Sequence, residues 1–197
     1  MNNAPYHHGG LRTAMIEKGI EMINEHGVTT LSLRKLAKAC GVTHPALYSH
    51  FANKDELLKA IQNHITEQFV IVLAEAMKES GESIEGLFHM GCSYVLFFVR
   101  NPQYFSFTFA HMNIHIDFIE NRDAYEPFVL YKNFMTRLFD RMNYPKEKQI
   151  NTLITHWVFV HGLASVATMS GSGSVEEWEK RVPDLLANSY FLGGEQC

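Results

Sequence analysis

Side chains that can bind phosphates and base edges recur between residues 32 and 54. Lysine, arginine and hydroxyl groups donate hydrogen bonds to phosphate oxygens, and arginine also reaches base edges in a groove. The candidates are Ser32, Arg34, Thr43, His44, Pro45, Tyr48, Ser49, His50 and Lys54. Their chemistry is binding rather than bond making. It requires local structure that presents these side chains on one surface.

A short helix is predicted to carry the first of them. The residues spaced at i, i+3, i+4 and i+7 are Leu33, Leu36, Ala37 and Cys40. This spacing places apolar side chains on one face of a helix. Ser32 precedes the helix as the expected N-cap, and Gly41 is the expected stop. Arg34 therefore lies in the first turn.

A second short helix is predicted after Thr43, which is its expected N-cap. Pro45 falls in the first turn, where its missing N–H removes no hydrogen bond. Leu47 and Phe51 turn inward as apolar anchors. The residues left outward are His44, Pro45, Tyr48 and Ser49. Two short helices joined through about three residues at Gly41 are typical of a helix-turn-helix, whose second helix enters the major groove of DNA.

A third start signal follows at once. Asn53 with Glu56 forms a capping-box pattern, so a new helix should begin near Lys54. The whole run GVTHPALYSHFANK resembles the recognition helix and the start of the fourth helix in regulators of the tetracycline-repressor (TetR/AcrR) family. The resemblance implies that Arg34 and His44 contact bases. It implies that the DNA backbone is held by Ser32, Tyr48, His50 and Lys54.

The charge distribution agrees with a DNA-binding N-terminus. The net charge is −4, but residues 1–60 hold seven Lys and Arg against five Asp and Glu. The basic excess therefore lies with the motif, and it predicts a few phosphate contacts with salt-sensitive binding. Three cysteines argue against a disulfide framework, and Cys40 and Cys92 are predicted to be small buried residues. No signal peptide or membrane-spanning segment is indicated, which predicts a cytoplasmic protein without a membrane partner.

An all-α fold is predicted for the remainder. The N-terminal arm, residues 1–10, is expected to be a flexible lead-in to a first helix at 11–26. A long helix should run from Lys54 to about Lys78. Further helices are predicted at 83–99, 102–112, 122–142, 146–169 and 175–192, with Pro183 kinking or splitting the last. Ser174, three residues before Glu177, is the start signal of that last helix. The predicted domains are a helix-turn-helix domain at 1–53 and a helical effector-binding and dimerisation domain at 54–197.

Trp157, His161 and Gly162 form a W-x-x-x-H-G pattern. It resembles the C-terminal signature of a WHG-type subgroup of the family. The resemblance implies that this helix and the last one form a homodimer interface. The residues themselves are predicted to serve packing, with Gly162 allowing close approach of another helix.

Several other histidines are candidate metal ligands. His111 and His115 lie at i, i+4, and further candidate ligands are His89, Cys92, His156 and His161. No carboxylate pair or CxxC run completes such a site. No GxSxG, Gly-rich phosphate loop or HExxH is present. We therefore expect no metal, no cofactor and no enzymatic activity.

Aromatic residues are concentrated after residue 60, and residues 61–197 hold 21 of the 24 in the chain. Some are expected to line a pocket for an apolar ligand, while most form the core. The candidate lining residues are Phe88, Cys92, Phe97, Phe105, His111, Phe128, Tyr131, Trp157 and His161. Only Arg100 is basic between Lys78 and Arg122, so a neutral or weakly acidic ring or acyl compound is favoured.

The sequence therefore predicts a homodimeric repressor that binds a pseudo-palindromic operator in double-stranded DNA. A small apolar or aromatic effector would release it by shifting the long fourth helix. A regulator without a ligand, or an activator, remains an alternative. A helical ligand-binding or haem protein with an incidental helix-turn-helix is the alternative from another class.

Overall fold

The computed structural model describes residues 8–78, 80–112, 114–119 and 125–188. Within them the fold is all-helical, with no strand, as predicted. The helices are α1 His8–His26, α2 Leu33–Ala39, α3 His44–Tyr48, α4 Lys54–Lys78, α5 Ile84–Arg100, α6 Pro102–Ser106, α7 Glu126–Arg141, α8 Lys146–Ala167 and α9 Val175–Ala187. A 3₁₀ turn, Val28–Thr30, follows α1, and a π-helical turn, Phe107–His111, follows α6.

The chain forms two compact units, residues 1–65 and 66–197, and the boundary falls inside α4. The predicted boundary at 53/54 instead marks the start of α4. Most predicted helix ends agree with the structure within one or two residues. The first helix is an exception, because it begins at His8 rather than at residue 11, so residues 8–10 of the predicted flexible arm are helical. The remainder of that arm (1–7), the predicted start at 122 and the predicted end near 192 lie outside the described residues, within which α7 begins at Glu126 and α9 ends at Ala187.

Of the two effects predicted for Pro183, a kink or a split of the last helix, the split does not occur. α9 continues through Pro183 to Ala187. Val182 and Leu186 on either side of the proline are buried, so packing holds the turn although Pro183 has no N–H to donate. Ser174 and Glu177 form a complete capping box at the helix start, as predicted.

The first unit has its own apolar core. α1 contributes Met15, Ile16, Ile20 and Ile23, all buried, whereas Lys18 is half exposed and pairs with Glu21. α1 packs on α2, and α2 packs on α3. His64 Nε2 and Glu17 Oε1 lie 2.5 Å apart, which joins α1 to the first half of α4.

The second unit is organised around α5, which packs against α8 and α9. Its ring-to-ring contacts run from Phe69 on α4 to Tyr94 and Phe98 on α5, at 5.0 and 4.8 Å. Trp157 on α8 meets Tyr94 at 5.5 Å. Cys92 is only half buried, as is Cys40 in the first unit, so neither is the fully buried residue that was predicted.

Among the described helices, α8 alone is long and apolar enough to cross a membrane. This property is weak evidence, because the helices of a packed bundle also meet the same criteria. α8 carries an exposed stripe of Val158, Gly162 and Val166, spaced at i, i+4 and i+8. An added Cβ at Gly162 would meet no atom within 4 Å. Among the described residues, no other helix therefore makes the predicted close approach at Gly162.

Candidate nucleic-acid interface and aromatic cluster

α2 is fixed at both ends by local hydrogen bonds. The Ser32 hydroxyl oxygen accepts from the N–H of Lys35 at 3.3 Å, as the predicted N-cap. Gly41 takes a positive φ of 66°, and its N–H donates to the Lys38 carbonyl. The Val42 N–H donates to the Ala37 carbonyl, which completes a Schellman motif. The turn therefore directs the chain into α3.

α3 presents a polar outer face because its inner face is anchored. The Thr43 hydroxyl oxygen accepts from the Ala46 N–H at 3.3 Å, as predicted, and Leu47 and Phe51 are fully buried. The guanidinium of Arg12 lies 5.1 Å from the centre of the Phe51 ring. The residues left exposed on this face are Thr43, His44, Pro45, Tyr48 and Ser49, while His50 is half buried.

An open groove of about 370 Å³ runs beside α2 and α3. Its lining residues are Leu31, Ser32, Leu33, Arg34, Tyr48, Ala52, Asn53 and Lys54. Four of the nine predicted interface residues, Ser32, Arg34, Tyr48 and Lys54, thus lie together. The other five, Thr43, His44, Pro45, Ser49 and His50, lie on or directly beside α3 and do not line the groove.

The start of α4 is held by its own cap. The Asn53 carboxamide oxygen accepts from the Glu56 N–H at 2.9 Å. The Glu56 carboxylate accepts from the Ala52 N–H at 2.6 Å, one residue earlier than in the standard capping box. Lys54 Nζ donates to the Val28 carbonyl at 2.7 Å. Lys54 therefore ties α4 to the 3₁₀ turn, a role that the sequence did not indicate.

Two further residues position the interface without having been predicted. Lys35 Nζ donates to the Thr30 carbonyl at 3.2 Å, which ties α2 to the same turn. Arg12 covers the ring of Phe51, the inward anchor beyond α3. Neither side chain belongs to a local sequence pattern, and Arg12 is remote from Phe51 along the chain, so no sequence signal identified them.

Comparison with known proteins supports the assignment of the first unit. Residues 15–61 match the family model described as bacterial regulatory proteins, tetR family. A segment of 50 residues is 46% identical to the class C tetracycline repressor protein of Escherichia coli, covering 25% of this chain and 23% of that protein. The chain thus aligns over about a quarter of the length of such relatives.

The fold extends the likeness over the rest of the chain. A TetR/AcrR-family transcriptional regulator from Thermobifida fusca YX-ER1 superposes with a TM-score of 0.62 at 21% identity, covering 91% of this chain and 97% of that one. Residues 15–61 thus match the tetR family in sequence, and the chain as a whole shares the fold of this regulator. AibR, solved with isovaleryl coenzyme A and operator DNA, gives a TM-score of 0.65 at 18% identity, covering 89% and 97%.

In the second unit, His161 is surrounded by rings. Its imidazole lies 4.6 Å from Phe109, 5.2 Å from Phe105 and 6.2 Å from Trp157, between centroids. The Tyr94 hydroxyl lies 2.9 Å from His161 Nδ1. We call Tyr94, Phe105, Phe109, Trp157 and His161 the aromatic cluster. Burial raises the pKa of Tyr94 and lowers the pKa of His161, so both groups are neutral near pH 7.

The predicted pocket residues divide between this cluster and other places. Phe105, Trp157 and His161 belong to it, and Phe128 and Tyr131 touch Trp157 at 4.8 and 5.4 Å. The remaining four lie apart from the imidazole. Phe97 stacks on Phe69, Phe88 contacts His89, Cys92 is half buried, and His111 is exposed. Tyr94 and Phe109 were not predicted as lining residues, because sequence alone does not show which side of a helix faces His161.

A small, partly open space adjoins the cluster. It measures about 10 Å³, roughly room for one water molecule. Its lining residues are Leu73, Met90, Gly91, Tyr94, Tyr131, His156, Trp157 and Val160. Burial lowers the pKa of His156 to about 4, and its ring stacks on Tyr131 at 5.6 Å. This space is therefore too small for an effector ring.

The histidines do not assemble into a metal site in the described residues. No group of three His, Cys, Asp or Glu side chains there has metal-binding geometry. His111 ends the π-helical turn, and Met112 is extended, so His111 and His115 do not share a helix face. Their i, i+4 spacing therefore does not bring the two imidazoles together on one helix, because the helix stops before His115.

Proposed function

We propose that this chain is a cytoplasmic, homodimeric transcriptional repressor that binds a pseudo-palindromic DNA operator and is released by a small apolar or aromatic effector. The observation that carries the DNA-binding part is the groove that gathers Ser32, Arg34, Tyr48 and Lys54 beside an exposed α3 face. A hydroxyl, a guanidinium, a phenol and an ammonium at one groove form a surface rich in donors and suited to phosphate oxygens.

The division of contacts follows from position on the helices. Arg34 and His44 are assigned to base edges, and Thr43, Pro45 and Ser49 lie on the same face of α3. Ser32, Tyr48, His50 and Lys54 are assigned to the DNA backbone. A single DNA-binding domain of short helices makes few contacts with DNA. Strong specific binding therefore needs two half-sites that lie about one helical turn, roughly 34 Å, or a multiple of it apart.

The homodimer is proposed to form through α8 and α9. The α8 stripe of Val158, Gly162 and Val166 is exposed in the single chain, with Val158 58% and Val166 50% exposed. α9 adds Leu185, which is 41% exposed. Burying a stripe of this kind against a second copy removes apolar surface from water. We also assign the W-x-x-x-H-G pattern to the WHG-type subgroup, with Trp157 and His161 inside the unit and Gly162 on the stripe.

Fluorescence anisotropy tests the DNA-binding proposal. The full chain is titrated onto its own upstream DNA and onto a scrambled duplex of equal length, at about 50 and 200 mM salt. We expect tighter binding to the upstream DNA at both salts, and weaker binding to both duplexes at the higher salt. Equal affinity for the two duplexes, or no binding to either, would overturn the proposal.

The same preparation separates the alternatives. A haem-binding protein with an incidental helix-turn-helix would show a Soret band after haem addition and no preference for the upstream duplex. A ligand-independent regulator would keep its DNA affinity with every effector candidate. An activator would raise, rather than lower, transcription from the bound promoter in a purified transcription assay.

A further inference from the structure

The polar centre of the aromatic cluster is a neutral pair that joins two helices. The Tyr94 hydroxyl on α5 lies 2.9 Å from His161 Nδ1 on α8. Tyr94 is buried, and the described residues give its hydroxyl this one partner. A buried phenol that accepted from Nδ1–H would leave its own proton without an acceptor. Tyr94 therefore donates to Nδ1, and the imidazole proton lies on Nε2.

The rings around this pair differ in how firmly they are held. Tyr94 and Trp157 are buried on the long helices α5 and α8. Phe105 and Phe109 are half buried, and they come from α6 and the π-helical turn. Their rings lie 5.0 Å apart, and both pack on the imidazole of His161. π-Helical turns are rare in proteins, and those that occur are often found at functional sites. These two phenylalanines thus form the least anchored wall of the cluster.

The cluster contains no positive charge. The described cation on α5 is Arg100, and its guanidinium donates to Glu179 at 2.7 and 3.0 Å while more than half exposed. His161 is held neutral by burial, so it does not supply a charge either. A carboxylate entering the cluster would lose its hydration without gaining a counter-charge.

We infer that Phe105 and Phe109 occupy the effector site of this chain as an internal plug. The geometry points to an uncharged planar effector that replaces their two rings and accepts a hydrogen bond from His161 through a carbonyl or similar group. The inference rests on the proposed effector response and goes further, because it names the chemical class of ligand, the orienting residue and the segment that must move.

The packing of the two rings agrees with a plug. Both lie against the imidazole of His161, at 5.2 and 4.6 Å between centroids. A planar ligand that stacks on His161 in their place therefore requires Phe105 and Phe109 to move. The apparent affinity of the ligand is then reduced by the fraction of molecules in which the plug is open. Shortening one plug side chain should raise that fraction.

Three matched probes test the class of ligand by isothermal titration calorimetry on the full chain. Methyl 2-naphthoate has two fused rings and a carbonyl, 2-methylnaphthalene lacks the acceptor, and 2-naphthoate carries a charge. We expect the ester to bind about five-fold more tightly than the hydrocarbon, from one hydrogen bond, and more tightly than the anion. Equal or tighter binding of the anion, or equal binding of ester and hydrocarbon, would overturn the inference.

Variants test the plug and the orienting residue. Phe109→Ala should bind the ester about ten-fold more tightly than the natural chain. The control Tyr144→Ala removes a half-buried ring outside the cluster, which stacks on Phe139 at 5.0 Å, and should leave the affinity unchanged. His161→Leu should bind ester and hydrocarbon equally. If Phe109→Ala does not fold, Phe105→Ala carries the same expectation, because Phe105 packs on the same imidazole. An unchanged ester affinity in the folded plug variant would contradict the inference.

Failure of this inference is separable from failure of the proposed function. Calorimetry is carried out without DNA, so probe binding is measured whether or not the chain binds an operator. A chain that binds its upstream DNA but shows no preference for the ester disproves the plug and leaves the repressor proposal standing. A chain that shows the expected probe preference without DNA binding supports the site and contradicts the repressor.

Discussion

Lys54 Nζ donates to the Val28 carbonyl across 2.7 Å, joining the first residue of α4 to the 3₁₀ turn after α1. An ammonium has three N–H donors, so this bond leaves donors for a phosphate. The same side chain is thus both a proposed DNA contact and part of the scaffold of the first unit. Its replacement should be visible in two separate measurements.

Lys54→Ala should weaken binding to all DNA sequences alike and reduce the slope of log affinity against log salt by about 1. It should also lower the free energy of unfolding by about 1 kcal/mol, because the Val28 carbonyl loses its partner. Anisotropy and urea unfolding measure the two effects. Lys59→Ala removes an equal charge from the same helix and should leave the unfolding energy unchanged. A sequence-selective loss for Lys54→Ala would count against its backbone role.

Arg34→Ala should cost about 1 to 3 kcal/mol on the operator and relax the preference at one base pair. The reason is that a bidentate guanidinium discriminates between bases, whereas a point charge does not. Competition binding against operators with single substitutions measures the effect. The control is Lys38→Ala, an exposed charge on the same helix. Equal losses on operator and scrambled DNA would refute the assignment of Arg34 to bases.

Val166→Glu should dissociate the proposed dimer, because it places a charge on the apolar stripe of α8. Analytical ultracentrifugation at micromolar concentration measures the change. Ile119→Glu is the control, since Ile119 is even more exposed, at 85%, and lies outside α8. Trp157 is buried, so a charge there should unfold the chain and does not test the interface. A natural chain that is already monomeric would contradict the proposal.

Gly162→Ala separates two roles of the same glycine. In a single chain the new methyl group meets open space, and alanine should stabilise the helix by up to about 1 kcal/mol. If two copies of α8 cross at this position, the methyl group should instead weaken the dimer. Thermal unfolding over a range of protein concentrations measures both the stability of the helix and the strength of the dimer. An increase in stability that does not depend on concentration would place the crossing elsewhere.

The free energy of unfolding should decrease as the pH is lowered from 6.5 to about 4, because in this range His156 is protonated only in the unfolded state. Burial lowers its native pKa to about 4. The native state binds fewer protons than the unfolded state in this range, so stability decreases with falling pH, by up to about 1.4 kcal/mol per pH unit. His156→Phe keeps a ring against Tyr131 and should flatten this dependence in urea unfolding. An unchanged slope would show that other groups cause it.

Local sequence patterns predicted the parts of the structure that depend on neighbouring residues. Ser32, Thr43 and Ser174 cap the helices to which they were assigned, since a cap involves residues three positions apart. The long helix at Lys54–Lys78 was predicted with both ends because its start signal and its apolar face are local.

Features that join distant residues were not predicted. The Tyr94–His161 hydrogen bond and the Lys54–Val28 tie depend on tertiary packing, which no spacing along the chain encodes. The continuation of α9 through Pro183 has the same cause, because burial of Val182 and Leu186 overrides a local breaker. Of the candidate site, the sequence therefore identified residue types and helices but not which side chains face one another.

The boundary between the two units falls inside α4 rather than in a loop, and this constrains how the chain can change in length. Each residue inserted into a helix rotates the downstream residues by about 100° and displaces them by about 1.5 Å. The loop between α8 and α9, which contains Gly171 and Gly173, can absorb an added residue without such a rotation. Insertions and deletions should therefore be tolerated between α8 and α9, whereas near residue 65 of α4 they should disrupt the structure.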